Sequence, residues 1–182
     1  MEIQSQQSGP FSKRTVGMII LDTLLIFTCG VIQTSFFPAL SIFRASPDLL
    51  LSAVIGLAVW QGEKSGAVSG IGAGIMAMSL GGAGTALLPV FYMLSGYLTG
   101  IIAKINFKNN LLSWFIYMTA AAFSRSLFSF LYSLFALRDS NMLVTFAYIV
   151  IPEFFMTVAF SVINYYLAKL CSVIPGKKSE HE

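Results

Sequence analysis

Residues 65–80 read Ser-Gly-Ala-Val-Ser-Gly-Ile-Gly-Ala-Gly-Ile-Met-Ala-Met-Ser-Leu, with no charge anywhere in the stretch. On a helix, Gly66, Gly70 and Gly74 fall four residues apart on one stripe, and Gly72 lies on the far side. In water such a helix would be a liability, because each interior glycine costs about 1 kcal/mol relative to alanine. In lipid the balance changes. No hydrophobic force drives helices together there, so close backbone approach does the packing, and small residues four apart permit it. The stretch therefore reads as a membrane helix at the centre of a bundle, gripped on its glycine face by a neighbour.

The rest of the chain agrees with a membrane setting. Of 182 residues, 56% are hydrophobic and only 10% are charged, and the mean hydropathy is +0.78. Soluble domains carry about 25% charged residues, so a chain this poor in charge cannot cover a globular surface with solvated groups. Its 16 Phe, 7 Tyr and 2 Trp suit a lipid-facing surface with wet interfaces. The length fits one domain. The net charge of +3 is spread along the chain, which argues against nucleic acid as a partner. Cys29 and Cys171 each stand alone in or beside an apolar run and read as packing residues. His181 lies in the polar tail with no second histidine or cysteine pair at ligand spacing, so no metal site or cofactor is expected.

A helix needs roughly 20 residues to cross the hydrocarbon core. Working outward from residues 65–80 gives five further apolar segments. The first spans about Thr15 to Phe37, behind a polar head that ends in Lys13 and Arg14. Its apolar stretch is too long for a signal peptide and no small-residue cleavage site follows, so it is expected to remain. The second runs from Pro47 to Trp60. Ser46 is placed to cap it, Pro47 suits the first helical position, and Asp48 favours the positive end of the helix dipole. Gln61-Gly62-Glu63-Lys64 closes it, and Gly81-Gly82-Ala83-Gly84 turns the chain after the third. The fourth covers about Ala86 to Ala103 and carries a second small-residue pair, Gly96 and Gly100. The fifth runs from Leu111 to Leu137. Arg138-Asp139-Ser140-Asn141 breaks the pattern before a sixth from Met142 to about Leu170.

These segments describe an all-α integral membrane protein with six transmembrane helices over residues 15–170, between tails at 1–14 and 171–182. Both termini are expected on the cytoplasmic side, because basic residues accumulate there. On that assignment the inner segments hold Lys13, Arg14, Lys64, Lys104, Lys108, Lys169, Lys177 and Lys178, and the outer loops hold Arg44 and Arg138.

Three ionisable residues fall inside the spans: Asp22, Arg125 and Glu153. Such residues cost a few kcal/mol or more at mid-bilayer and generally face the protein interior. At 1.5 Å per residue, Arg125 lies about 21 Å from the inner end of its helix and Glu153 about 16 Å from the outer end of the next. Their depths match within an arginine's reach, so a buried Arg125–Glu153 ion pair is expected. It serves as a clamp between helices, a ligand or proton site, or a polar patch for a partner. Asp22 is expected to make an internal hydrogen bond or to be protonated. No nucleophile elbow, histidine constellation or phosphate loop occurs, so no enzyme is expected.

Several stretches in order resemble the rod shape-determining MreD family. They are Gln33-Thr34-Ser35-Phe36-Phe37-Pro38, Phe43-Arg44-Ala45-Ser46-Pro47-Asp48-Leu49-Leu50-Leu51, Gln61-Gly62-Glu63-Lys64-Ser65-Gly66, Gly70 with Gly74, Gly81 to Gly84, and Tyr97-Leu98 with Gly100. The likeness covers about residues 30–102, with Pro47, Asp48 and Gly62 as its motif positions. One position departs from it: Met78 stands where the family commonly has an aspartate near the end of the glycine-rich helix. The resemblance implies a divergent member, a scaffold of the cell-elongation machinery in the bacterial cytoplasmic membrane. Its implied partners are MreC and, through it, MreB and the glycosyltransferase and transpeptidase of peptidoglycan synthesis. The implied fold is similar to the substrate-binding components of energy-coupling factor transporters. A small-molecule-binding subunit of such a transporter is accordingly the alternative reading.

Overall fold

The computed structural model describes residues 13–36, 47–80, 87–105, 111–132 and 151–173. These form six helices: α1 (Lys13–Ser35), α2 (Leu49–Gln61), α3 (Glu63–Ser79), α4 (Leu88–Ile105), α5 (Leu111–Tyr132) and α6 (Ile151–Val173). The glycine turn at 81–84, the break at 138–141, parts of the fifth and sixth expected spans, and residues 1–12 and 174–182 of the two tails lie outside the described residues. Residues 13–14 and 171–173, expected in the tails, belong to α1 and α6. Four helices, α1, α4, α5 and α6, are long and apolar enough to cross a membrane, which makes this a multi-pass membrane protein. The exposed side chains agree. Every helix except α2 carries large apolar groups on its outer face, among them Ile20, Val68, Leu98, Ile116 and Phe155. In water such continuous apolar coverage would aggregate.

α2 is the exception that organises the rest. Its sequence, Leu-Leu-Leu-Ser-Ala-Val-Ile-Gly-Leu-Ala-Val-Trp-Gln, is apolar on all sides, and a helix of that kind belongs in a core. Every residue from Leu49 to Val59 is buried, and α2 packs against all five other helices. The expected central position of the glycine-rich helix is thereby corrected. α3 offers one glycine face for burial while Val68, Ile71 and Ile75 remain exposed on the other. At 13 residues, α2 is only about 20 Å long, short of the roughly 30 Å hydrocarbon core. It lies within the bundle, buried by the other helices from Leu49 to Val59.

The glycine stripe closes α3 onto α4 in an antiparallel pair. A Cβ added at Gly66 would come within 2.6 Å of the Gly96 carbonyl oxygen and of the Ala58 methyl. At Gly70 it would strike the backbone of Tyr92, and at Gly74 that of Pro89. From the other side, Gly96 faces the Gly66 backbone and Gly100 that of Glu63. All five glycines thus lie on the α3–α4 contact. Gly72, with nothing within 4 Å, does not. Lys104 and Glu63 pair at 3.7 Å at the end of the same contact.

The other junctions follow from similar local reasons. Gly56 lets α6 approach α2: its added Cβ would lie 2.7 Å from Ala168 Cβ. Gly62 joins α2 to α3 at φ +93° and ψ −178°, a region open only to glycine. Nothing lies within 4 Å of a Cβ built there, so the requirement is conformational and not steric.

A polar cluster at the start of α2 as the candidate functional site

A helix that begins inside a membrane protein must find partners for its first N–H groups, which have none within the helix. α2 finds them all. Leu49 N–H donates to Pro47 O at 3.1 Å. Leu50 N–H donates to Gln33 Oε1 on α1 at 3.1 Å, and Leu51 N–H to Asp48 Oδ1 at 3.0 Å. Asp48 is therefore the N-cap, which corrects the expectation that Ser46 caps. An aspartate in the last position before the helix reaches the third helical N–H directly.

Asp48 does more than cap. It is buried to 3% exposure and joins four helices, three at its carboxylate and the fourth at its backbone N–H. Its Oδ2 accepts from the Tyr92 hydroxyl of α4 at 2.5 Å and lies 3.4 Å from Arg125 Nε of α5. Its own N–H donates to Thr157 Oγ1 of α6 at 2.9 Å, and that hydroxyl donates to Glu153 O at 2.7 Å. Arg125 also donates from Nη1 to Ser129 Oγ, one turn along α5.

The ion pair of Arg125 is thus with Asp48, and the Arg125–Glu153 pair expected from depth is replaced. Among the described residues no Arg125–Glu153 contact falls within 4 Å, although Glu153 lies in electrostatic reach of both Arg125 and Asp48. The sequence reading gives Asp48 a role only at the start of its helix and leaves it out of the ionisable residues inside the spans. α2 instead starts deep in the bundle, which brings its N-cap to the level of Arg125.

A second polar layer lies one turn further along α2. Asn164 Nδ2 donates to Leu49 O at 3.1 Å and to Ser52 Oγ. The Cys29 thiol donates to Asn164 Oδ1 at 3.4 Å. Cys29 is a packing residue with a hydrogen bond, as a free buried cysteine often is. No family model, curated protein or solved structure matches this chain.

What this cluster can do chemically is limited by its closure. A cavity of about 70 Å³ lies beside it, lined by Gln33, Thr34, Leu50, Tyr92 and Arg125 among others. That holds a few water molecules; sites for organic ligands run to about 300 Å³ and more. The cluster is a five-helix tie, with one positive and one negative side chain in direct contact at its centre.

Of the residues the sequence singles out, Pro47, Asp48 and Arg125 meet in this cluster. Glu153 borders it through its backbone, and Gly62 stands at the opposite end of α2. Met78 is on the exposed side of α3. Gln33 stands in a stretch that carries the resemblance but has no assigned role there, and the sequence reading does not single out Tyr92, Thr157 and Asn164. A signal for the last two exists in the sequence: Thr157, Ser161, Asn164 and Ala168 recur at helical spacing and are all buried. Tyr92 has no such signal, because its partner is 44 residues away.

Proposed function

We propose that this chain is a non-enzymatic scaffold of the bacterial cell-elongation machinery, an MreD-type protein of the cytoplasmic membrane. In this role it holds MreC and, through MreC, links MreB to the glycosyltransferase and transpeptidase that extend peptidoglycan. The observation that carries the reading is where the resembling residues go. Pro47 and Asp48 open a central helix whose cap ties α2, α4, α5 and α6 together. Gly62 makes the chain connection from α2 to α3, and the glycine stripe locks α3 to α4. Residues used in this way build a stiff body that partners can grip. The transporter-subunit alternative calls for a ligand pocket enclosed within the bundle; the cavity beside the cluster is about 70 Å³, and the larger one between α1 and α3 is an open groove, which favours the scaffold.

The proposed topology has six spans with both tails in the cytoplasm, supported by the eight basic residues on inner segments against Arg44 and Arg138 outside. Depleting the protein in its bacterial host should round the cells and reduce the MreC recovered with it. Rods of normal width, with MreC binding absent, would overturn the reading. In the same strain, alkaline phosphatase fused after Lys178 should be inactive and a fusion near Arg138 active; the reverse pattern sinks the six-span topology.

A further inference from the structure

α1 and α3 touch at one end and part at the other. Where they meet, Gly30 packs against the side chains of Met76 and Leu80. Towards the N-terminal ends of both helices they separate around an open cavity of about 890 Å³. Its lining is graded. At the end near the α2–α3 junction stand Asp22, Trp60, Gln61, Lys64 and Ser65; further up stand Ile26, Phe27, Val68, Gly72 and Met76. Gly72, which has open space above it, forms a shallow trough in the apolar part.

The polar end is built and incomplete. Gln61 Nε2 donates to Asp22 Oδ1 at 2.7 Å, and Ser65 Oγ donates to Gln61 Oε1 at 2.6 Å. These bonds fix the carboxylate across the gap between α1 and α3. The second oxygen of Asp22 has no partner among the described residues, and no described cation lies within ion-pair distance of it. Lys64 stands exposed at the rim, and the Trp60 indole N–H has no acceptor among the described residues. Tryptophan and lysine at a helix boundary mark the headgroup level of a bilayer. A negative and a positive group therefore both line the groove at that level, with an apolar channel leading away from them.

We propose that this groove binds an aminophospholipid from the leaflet on the N-terminal side of α1. Its ammonium sits on Asp22, its phosphate on Lys64, and one acyl chain lies over Gly72 between Phe27 and Met76. A partner's transmembrane helix fits less well, because the Gly30–Met76 contact closes the groove part-way along. A choline headgroup offers Asp22 no N–H to accept, and a headgroup with no cation leaves the carboxylate uncompensated. This site is independent of the cell-elongation reading.

The test is native mass spectrometry of the purified full chain in detergent. It is titrated separately with phosphatidylethanolamine, phosphatidylcholine and phosphatidylglycerol of identical acyl chains. The wild type should retain phosphatidylethanolamine at least about five-fold better than either of the others. Asp22→Asn should bring the ethanolamine-to-choline ratio close to one. Lys64→Gln, at an exposed rim position, should weaken both of these lipids without changing their ratio. Gly72→Leu, whose Cβ meets nothing within 4 Å and whose side chain occupies the trough, should lower the retention of all three. A wild-type ratio near one, or a preference that survives Asp22→Asn, overturns the proposal. Lipid retention unchanged by Gly72→Leu overturns the placement of the chain.

Discussion

Two aspartates are among the described residues of this bundle, and they meet opposite fates. Asp48 is fully enclosed, with a backbone N–H and a tyrosine hydroxyl bonded to its carboxylate and the Arg125 guanidinium in ion-pair contact at 3.4 Å. Asp22 is half-buried, has one hydrogen bond, and turns its other oxygen to an open groove. A buried charge is tolerated only when it is paired and hydrogen-bonded, and the first site meets that condition from within the chain. The second meets it only in part and leaves room for something from outside. Within one small protein, then, the closed carboxylate organises the fold and the open one addresses its surroundings.

The largest effect should come from opening the closed site. Asp48→Ala removes the α2 cap and leaves Arg125 buried without its counter-charge, and breaking a buried pair in this way costs about 3–5 kcal/mol. The variant should accumulate poorly and unfold at a much lower temperature in detergent. Pairing it with Arg125→Ala should recover part of that loss. A double-mutant cycle on thermal stability measures the coupling, and strict additivity would show that the two charges do not interact.

An intermediate effect is expected where the glycine stripe holds Tyr92 in place. The backbone of Tyr92 lies against Gly70, and its hydroxyl reaches Asp48. Gly70→Ala must push α4 away and should destabilise by about 1–3 kcal/mol, the usual cost of overpacking. Gly72→Ala meets nothing within 4 Å. It should be neutral or slightly stabilising, because alanine is the better helix former by about 1 kcal/mol. Equal melting temperatures for the two variants would show that the stripe is not the packing face.

The smallest effect belongs to the open site. Asp22→Asn keeps an acceptor for Gln61 and removes a charge that is already half-exposed, so the isolated protein should change by less than about 1 kcal/mol. A loss as large as that of Asp48→Ala would erase the distinction between the two aspartates.

Much of this was legible in the sequence through periodicity. Gly66, Gly70 and Gly74 recur every four residues, and that spacing alone identifies a face for close approach. The absence of charge over residues 65–80 and elsewhere sets the solvent as lipid. Depth was less legible. Arg125 and Glu153 were matched by counting residues along neighbouring helices, a method that assumes every helix starts at the membrane edge. α2 does not, and so the partner of Arg125 is Asp48.

By itself the sequence determined which segments are helices, that they belong in a membrane, and which faces of α3 and α4 permit close approach. These are consequences of composition and of a 3.6-residue repeat, and they act over a few turns of chain. Only the tertiary structure decided that α2 is the centre, that Tyr92 and Arg125 converge on Asp48, and that Asp22 stays half-satisfied beside a groove. Those outcomes depend on how far a short helix sits below the edge of its longer neighbours. That offset is set jointly by contacts between residues as distant in the chain as Asp48 and Thr157, and no local pattern encodes it.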